Sequence, residues 1–280
     1  MRPPTAVGPS EFDHGWAPDD AVRVMDSTIE PVRRTQERIH RRRRVVFGEL
    51  PEREREAIVD ETFEIWSEHV VGNTRAEFRE HRLFDDTRLH LFYGVSGELA
   101  AFLNFTVDPI PVSGRRLLVV SCAVMSRLHY RAMVPLATAL TQEILRTRLT
   151  FARHELAYNA VASSPISFGT LTRFTPEYYP HVDGRVAPAY ILDALTEVAH
   201  RRDLVIDDHD PWILRSDAVI RHPDRIRASR TMQNPDRFIR WFLDRAPNWD
   251  TGELLMMWIP LTFGNVCAGL MNLVRRRPIG

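Results

Sequence analysis

A chain of 280 residues with 44% hydrophobic and 26% charged side chains has enough apolar material for a buried core and needs neither disulfide nor metal to hold it. All 37 basic residues are arginine, balanced by 37 acidic ones, so the formal net charge is zero and no global field draws the chain to nucleic acid or an anionic membrane. The absence of lysine excludes enzymes that form an internal aldimine and ordinary P-loop NTPases, and two distant cysteines, Cys122 and Cys267, without a CxxC pair argue against a zinc ribbon or redox dithiol.

Met1–Asp20 is rich in Pro, Gly and Asp and reads as loose; Met1–Ser10 has no apolar core of a signal sequence, so a cytoplasmic setting is expected. Ile29–Arg44 then carries Arg33, Arg34, Arg38 and Arg41–Arg44. Such a run can bind phosphate backbones, but no aromatic residues interleave it, and a solvated helix face or a dimer contact fits better. Pro51 opens a helix whose first turn holds Glu52, Glu54 and Glu56, and Thr74 with Glu77 makes a capping box for a second helix over Thr74–Glu80.

Leu89–Val95 and Glu98–Val107 are strand-like and flank a Ser96-Gly97 turn, a hairpin that Pro109 and Pro111 are expected to end. Leu117–Met125, almost wholly apolar, suits the centre of a sheet. The loop Ser126–Arg131 leads to a helix over Val134–Arg148, followed by a strand, Glu155–Ala162, and a short helix, Pro165–Arg173, that Ser163 or Ser164 can cap. Beyond Pro180 the order is a helix at Pro188–His200, short strands near Leu204–Ile206 and Trp212–Leu214, and a helix at Pro235–Arg245 with Asn234 as its cap.

Asp207, Asp208, His209 and Asp210 are metal-type ligands, but neighbours on an extended segment alternate sides and Pro211 follows, so a polar turn is expected and no metal. Leu254–Val274 is uncharged for 21 residues and precedes three arginines. Pro260, Gly264, Asn265 and Gly269 break it, and it reads as a buried strand, Glu253–Ile259, plus a helix from Thr262 or Asn265 to Arg276, with no membrane span. The organisation expected is an N-terminal segment with a basic helix (residues 1–50), a core (51–180) and a C-terminal α/β extension packed on the core (181–280).

Over Pro51–Phe174 this order of elements resembles the GNAT superfamily of acyltransferases. Leu91–Phe105 (LFYGVSGELAAFLNF) looks like its hairpin, Leu117–Leu140 like its central strand, acyl-CoA loop and following helix, and Leu156–Phe174 like its fifth strand and the helix after it. Tyr130-Arg131-Ala132 lies where the family commonly has Tyr-Arg-Gly. The resemblance implies an α/β fold with a GNAT-like mixed central sheet flanked by helices. It also implies transfer of an acyl group from a CoA or carrier-protein thioester to a small-molecule amine. Val124, Ser126, Arg127, Tyr130, Arg131 and Ala132 would hold the donor, with backbone N–H groups at a helix start taking the pyrophosphate.

Ala132, Val134 and Leu136 stand where family glycines would be, and Pro135 lacks an N–H, so an acyl carrier protein or a longer acyl-CoA held by apolar contact suits the loop better than acetyl-CoA. The leaving-group acid of the family is a Tyr; Thr170 occupies its place. His129, Tyr158 and Asn159 complete the catalytic candidates, the last two on opposite faces of their strand. Two readings stay open: an N-acyltransferase, with a homodimer as one assembly it allows, and a catalytically inactive GNAT-like protein that binds a small molecule or partner.

Overall fold

The computed structural model describes residues 38–112, 114–130, 134–202, 204–216, 219–220 and 236–275. In chain order the elements are β1 (Ile39–Val46), α1 (Glu52–His69), β2 (Val70–Val71), α2 (Arg75–Arg82), β3 (Arg88–Gly94), β4 (Leu99–Val112), β5 (Arg115–Ser126), α3 (Leu136–Thr150), β6 (Glu155–Ala162), α4 (Pro165–Phe174), α5 (Ala189–Arg201), β7 (Val205–Ile206), β8 (Ile213–Arg215), β9 (Val219–Ile220), α6 (Arg237–Arg245), β10 (Glu253–Pro260) and α7 (Phe263–Arg275). Eight strands form one mixed sheet in the order β1-β3-β4-β5-β6-β10-β8-β7, and β2 pairs with β9 apart from it. Within the large sheet β5 and β6 run parallel and the other pairs antiparallel. This is a mixed α/β fold. From α1 to α4 it has the succession of helices and strands that the resemblance implied, and the last stretch of chain adds β10, β8 and β7 to the same sheet.

Local chemistry sets most boundaries. The Thr74 and Ser164 side chains accept from the N–H groups of Glu77 and Ser167, closing capping boxes on α2 and α4. Strand alternation assigns the faces. Leu89, Leu91, Tyr93 and Phe102 pack against Ile58, Ile65 and Trp66 of α1 and Phe78 of α2. The opposite face carries Tyr158 and Ile259, which meet α3, α4 and α7. Phe168 of α4 stacks on Trp241 at 5.2 Å and touches Phe242 at 5.7 Å, which docks α6; such pairs are worth about 0.5–1.5 kcal/mol beyond the area they bury.

Three expectations are corrected. The basic run is not a helix where it is described: Ile39–Val46 is the edge strand β1, paired with β3. Its guanidiniums are taken up on alternate sides. Arg41 lies 4.5 Å from the Tyr93 ring centre and Arg43 pairs with Glu54, while Arg42 and Arg44 turn to the α3 side, Arg42 bonding Gln142 and His90 and Arg44 bonding Glu143. Arg38 is exposed just before the strand, and Arg33 and Arg34 lie outside the described residues.

Pro109 and Pro111 do not end β4, which pairs with β5 as far as Val112. The β3 ladder has already stopped at Phe105, and the Pro109 carbonyl accepts from Arg201 at 2.8 Å on that free edge, so the missing N–H groups cost no ladder bond. Asp236 caps α6, accepting from the Phe238 N–H at 2.8 Å; Asn234 and Pro235 lie outside the described residues. The Asp207–Asp210 segment is a turn in which the Asp207 carboxylate accepts from the His209 and Asp210 N–H groups. Leu254–Val274 divides between β10 and α7, and no described helix is long and apolar enough to cross a membrane.

Candidate functional site

The sheet opens where β5 meets β6. Their parallel pairing runs from Leu117 opposite Glu155 to Ser121 opposite Asn159 and stops there. Beyond it β5 continues to Ser126 beside β4, and β6 continues to Ala162 beside β10. Each arm of the fork is thus held by its outer neighbour, and the inner edges face one another without a ladder. Tyr158 lies at the base, its hydroxyl 3.0 Å from the Cys122 sulfur.

Backbone alternation aims donors into the fork. The Arg127 N–H reaches the Ala100 carbonyl of β4, and the Ala123 N–H reaches the Asn104 side-chain oxygen, also on β4. Successive residues of a strand present their N–H groups to opposite edges, so that of Val124 turns toward β6.

A cavity lies on each face of the fork. On the α3–α4–α7 side, about 200 Å³ is bounded by Leu140 and Ile144 of α3, Leu171 of α4, Val266 and Leu270 of α7, and Tyr158 at its floor. Its walls are almost entirely apolar. On the α1–α2 side, about 290 Å³ is lined by polar groups, among them Asn104, Ser121, Asn159, His81, Arg82 and Arg202. The Ser121 hydroxyl and the Asn159 carboxamide oxygen are buried there without a hydrogen-bond partner.

Among the expected site residues, Tyr158 and Asn159 lie at the base of the fork and Val124 lies on its β5 arm, lining neither cavity. Tyr158 and Asn159 face opposite cavities, as their adjacency on a strand requires. Burial, then the neighbouring Cys122, holds the Tyr158 phenol well above its ordinary pKa, and burial raises the Cys122 thiol to about 11 despite the Tyr158 hydrogen bond. Thr170 lines the apolar cavity, but its hydroxyl donates to the Ile166 carbonyl at 2.8 Å, within its own helix. Ser126 is buried, with its carbonyl accepting from His69 Nε2 at 2.7 Å.

The fork does not gather the loop residues. Arg127 points to α1, where its guanidinium meets Glu68 at 2.9 Å and Glu64 at 2.7 Å and its Nε donates to the Leu99 carbonyl. Tyr130 is buried and its hydroxyl donates to Glu98. Gly94 is what lets this ring approach, because a Cβ there would overlap the phenol oxygen. His129 is exposed, its ring centre 4.6 Å from that of Tyr130, and lines neither cavity. Arg131 and Ala132 lie outside the described residues.

At the start of α3, Pro135 has no N–H, the Leu136 N–H is taken by the Val134 carbonyl at 2.8 Å, and no side chain caps the turn. That leaves fewer free donors for a pyrophosphate than a glycine-rich loop offers. The apolar groove beside it has the chemistry to hold an acyl chain or a pantetheine arm.

Sequence reasoning passed over Arg82, Ser121 and His81. Ser121 had left a trace, as a hydroxyl interrupting the apolar run Leu117–Val124. Arg82 left none, being one arginine among 37.

No family model matches the chain, and no curated protein matches it. Among solved structures it is similar to "a putative phosphinothricin N-acetyltransferase", at 16% identity and a TM-score of 0.33 over 52% of this chain and 92% of that one. It is also similar to a conserved protein of unknown function from Enterococcus faecalis V583 given as a probable N-acyltransferase, at 13% identity and a TM-score of 0.34; 83% of this chain aligns, and it spans 62% of that chain. Scores this low leave the activity to the geometry.

Proposed function

We propose that the chain transfers an acyl group from a thioester to an amine across the fork between β5 and β6. The observation that carries this reading is the parting of the two strands after Ser121 and Asn159, with an apolar cavity on one face and a polar one on the other. The donor's acyl chain or pantetheine arm lies in the apolar cavity, and the amine enters from the polar side. Attack of the amine nitrogen on the carbonyl carbon forms the C–N bond and breaks the C–S bond. The proton lost from nitrogen balances the thiolate that leaves.

The Val124 N–H, on the edge of β5 that faces the fork, takes the oxyanion in this reading. Tyr158 stays protonated, and a phenol held above its ordinary pKa offers the departing sulfur a hydrogen bond rather than its proton. His81, the imidazole in the polar cavity, is the proposed base. With Arg127 engaged by α1 and the α3 start poor in donors, apolar contact supplies most of the donor's binding. A long-chain acyl-CoA or an acyl carrier protein therefore suits the site better than acetyl-CoA.

Thermal shift and turnover with acetyl-CoA, a long-chain acyl-CoA, free CoA and acyl-pantetheine test this, since a ligand selective for the folded chain raises its midpoint. The expected order is a large shift with the long-chain acyl-CoA, a smaller one with acyl-pantetheine and the least with CoA. The absence of a shift with every donor would remove the transfer reading. A second reading, an inactive protein that binds through the same cavities, is favoured by the Tyr158–Cys122 hydrogen bond spanning the base of the fork. Shifts without amide product would select it.

A further inference from the structure

The polar cavity carries more than an amine requires. Ser121 and Asn159 are each 5% exposed, and the Ser121 hydroxyl oxygen and Asn159 carboxamide oxygen have no partner in the protein. A carboxamide oxygen can only accept, so its complement is a donor such as the N–H of an amine. Both residues form the last rung before the strands part, which is where the acceptor nitrogen must sit.

Arg82, on the same cavity wall, is a cation without a carboxylate. Its neighbours are paired: Arg202 bonds Asp108 at 2.8 Å and Arg215 bonds Asp207. Among the described residues no acidic side chain reaches the Arg82 guanidinium, which lies 5.0 Å from the centre of the Trp66 ring. Burial, then the charge of Arg202, lowers its pKa to about 10, so it is still charged at neutral pH and shares the cavity with the paired Arg202 and Arg215. A half-buried arginine fork is suited to a planar, bidentate anion.

Resting on the transfer reading above, we propose that the acceptor is a small amine bearing a carboxylate, with its nitrogen at Ser121 and Asn159 and its carboxylate on Arg82. The two ends of such a zwitterion answer the two kinds of unmet group in one cavity. Ordered water could fill the orphan acceptors, yet water brings no charge to Arg82.

The test uses the full chain and calorimetric titration with a set of L-amino acids, the matching amines lacking the carboxylate, and the matching acids lacking the amine. At least one amino acid should bind about tenfold or more tightly than its amine, the scale of a charge-assisted hydrogen bond. Arg82→Gln should bring that ratio close to one while Arg82→Lys keeps part of it, and Ser121→Ala with Asn159→Leu should weaken amino acid and amine alike. The thermal shift given by a long-chain acyl-CoA, unchanged in Arg82→Gln, shows that the variant is folded. Equal binding of amino acid and amine, no binding by any of the three classes, or an unchanged ratio in folded Arg82→Gln overturns the proposal. A donor shift without amino acid discrimination sinks this inference and leaves acyl transfer standing; discrimination without any donor shift keeps the amino acid subsite and sinks acyl transfer.

Discussion

Replacing Glu143 by Gln tests how the chain anchors its edge strand. Glu143 projects from α3 and has no exposed side-chain surface. Its carboxylate accepts from Arg44 Nε at 2.7 Å, Arg146 Nη1 at 2.9 Å and His90 Nε2 at 3.0 Å, with Arg88 at 3.6 Å. His90, also fully buried, accepts in turn from Arg42 at Nδ1. Breaking a buried pair costs about 3–5 kcal/mol, but Arg44 and Arg146 are 40% and 55% exposed and can turn to water. The remaining loss falls on the buried His90 contact and comes to roughly 2–3 kcal/mol, or about 4–12 °C in Tm for a chain of this size.

The effect has a pH signature. Despite the cost of burial, the His90 and Arg44 bonds hold the folded carboxyl of Glu143 far below its ordinary 4.5. The unfolded chain therefore binds the proton first, and stability rises with pH through this region. The contribution is complete above about pH 5 and is lost as pH falls below 4.5 toward the folded value. Denaturant unfolding of both forms between pH 7 and pH 3 should show the gap narrowing as the wild type loses more stability than the variant. A variant within about 0.5 kcal/mol of wild type at pH 7, or a gap that stays constant to pH 3, would refute the network's role.

Thiol titration with a disulfide reagent at pH 8 should find one fast cysteine, the exposed Cys267, because Cys122 at about 11 holds little thiolate there; two fast thiols would contradict the raised Cys122 thiol. Gly252→Ala should lose more than about 2 kcal/mol in unfolding experiments, because Gly252 has φ +118° and a Cβ would strike the Ser216 carbonyl oxygen. Thr170→Val should leave turnover within about twofold, since its hydroxyl already bonds the Ile166 carbonyl. A tenfold drop in kcat with unchanged KM would return that residue to the catalytic group.

The amino-acid sequence determined the succession of elements from α1 to α4 and the opposite facing of Tyr158 and Asn159. Caps such as Thr74–Glu77 and the two-residue repeat of a strand act across at most four positions and can be read from neighbours. Only the tertiary structure decided that Ile39–Val46 is a strand, that β10 lies between β6 and β8, and that Arg82 lines the same cavity as Ser121 and Asn159 while Arg127 turns away to α1. Those outcomes depend on partners far along the chain: Arg44 and Glu143 are 99 residues apart, and Arg127 and Glu64 are 63. Arginine has the same charge and reach at every position, so which guanidinium is neutralised and which is left for a ligand depends on the acids that folding brings beside it.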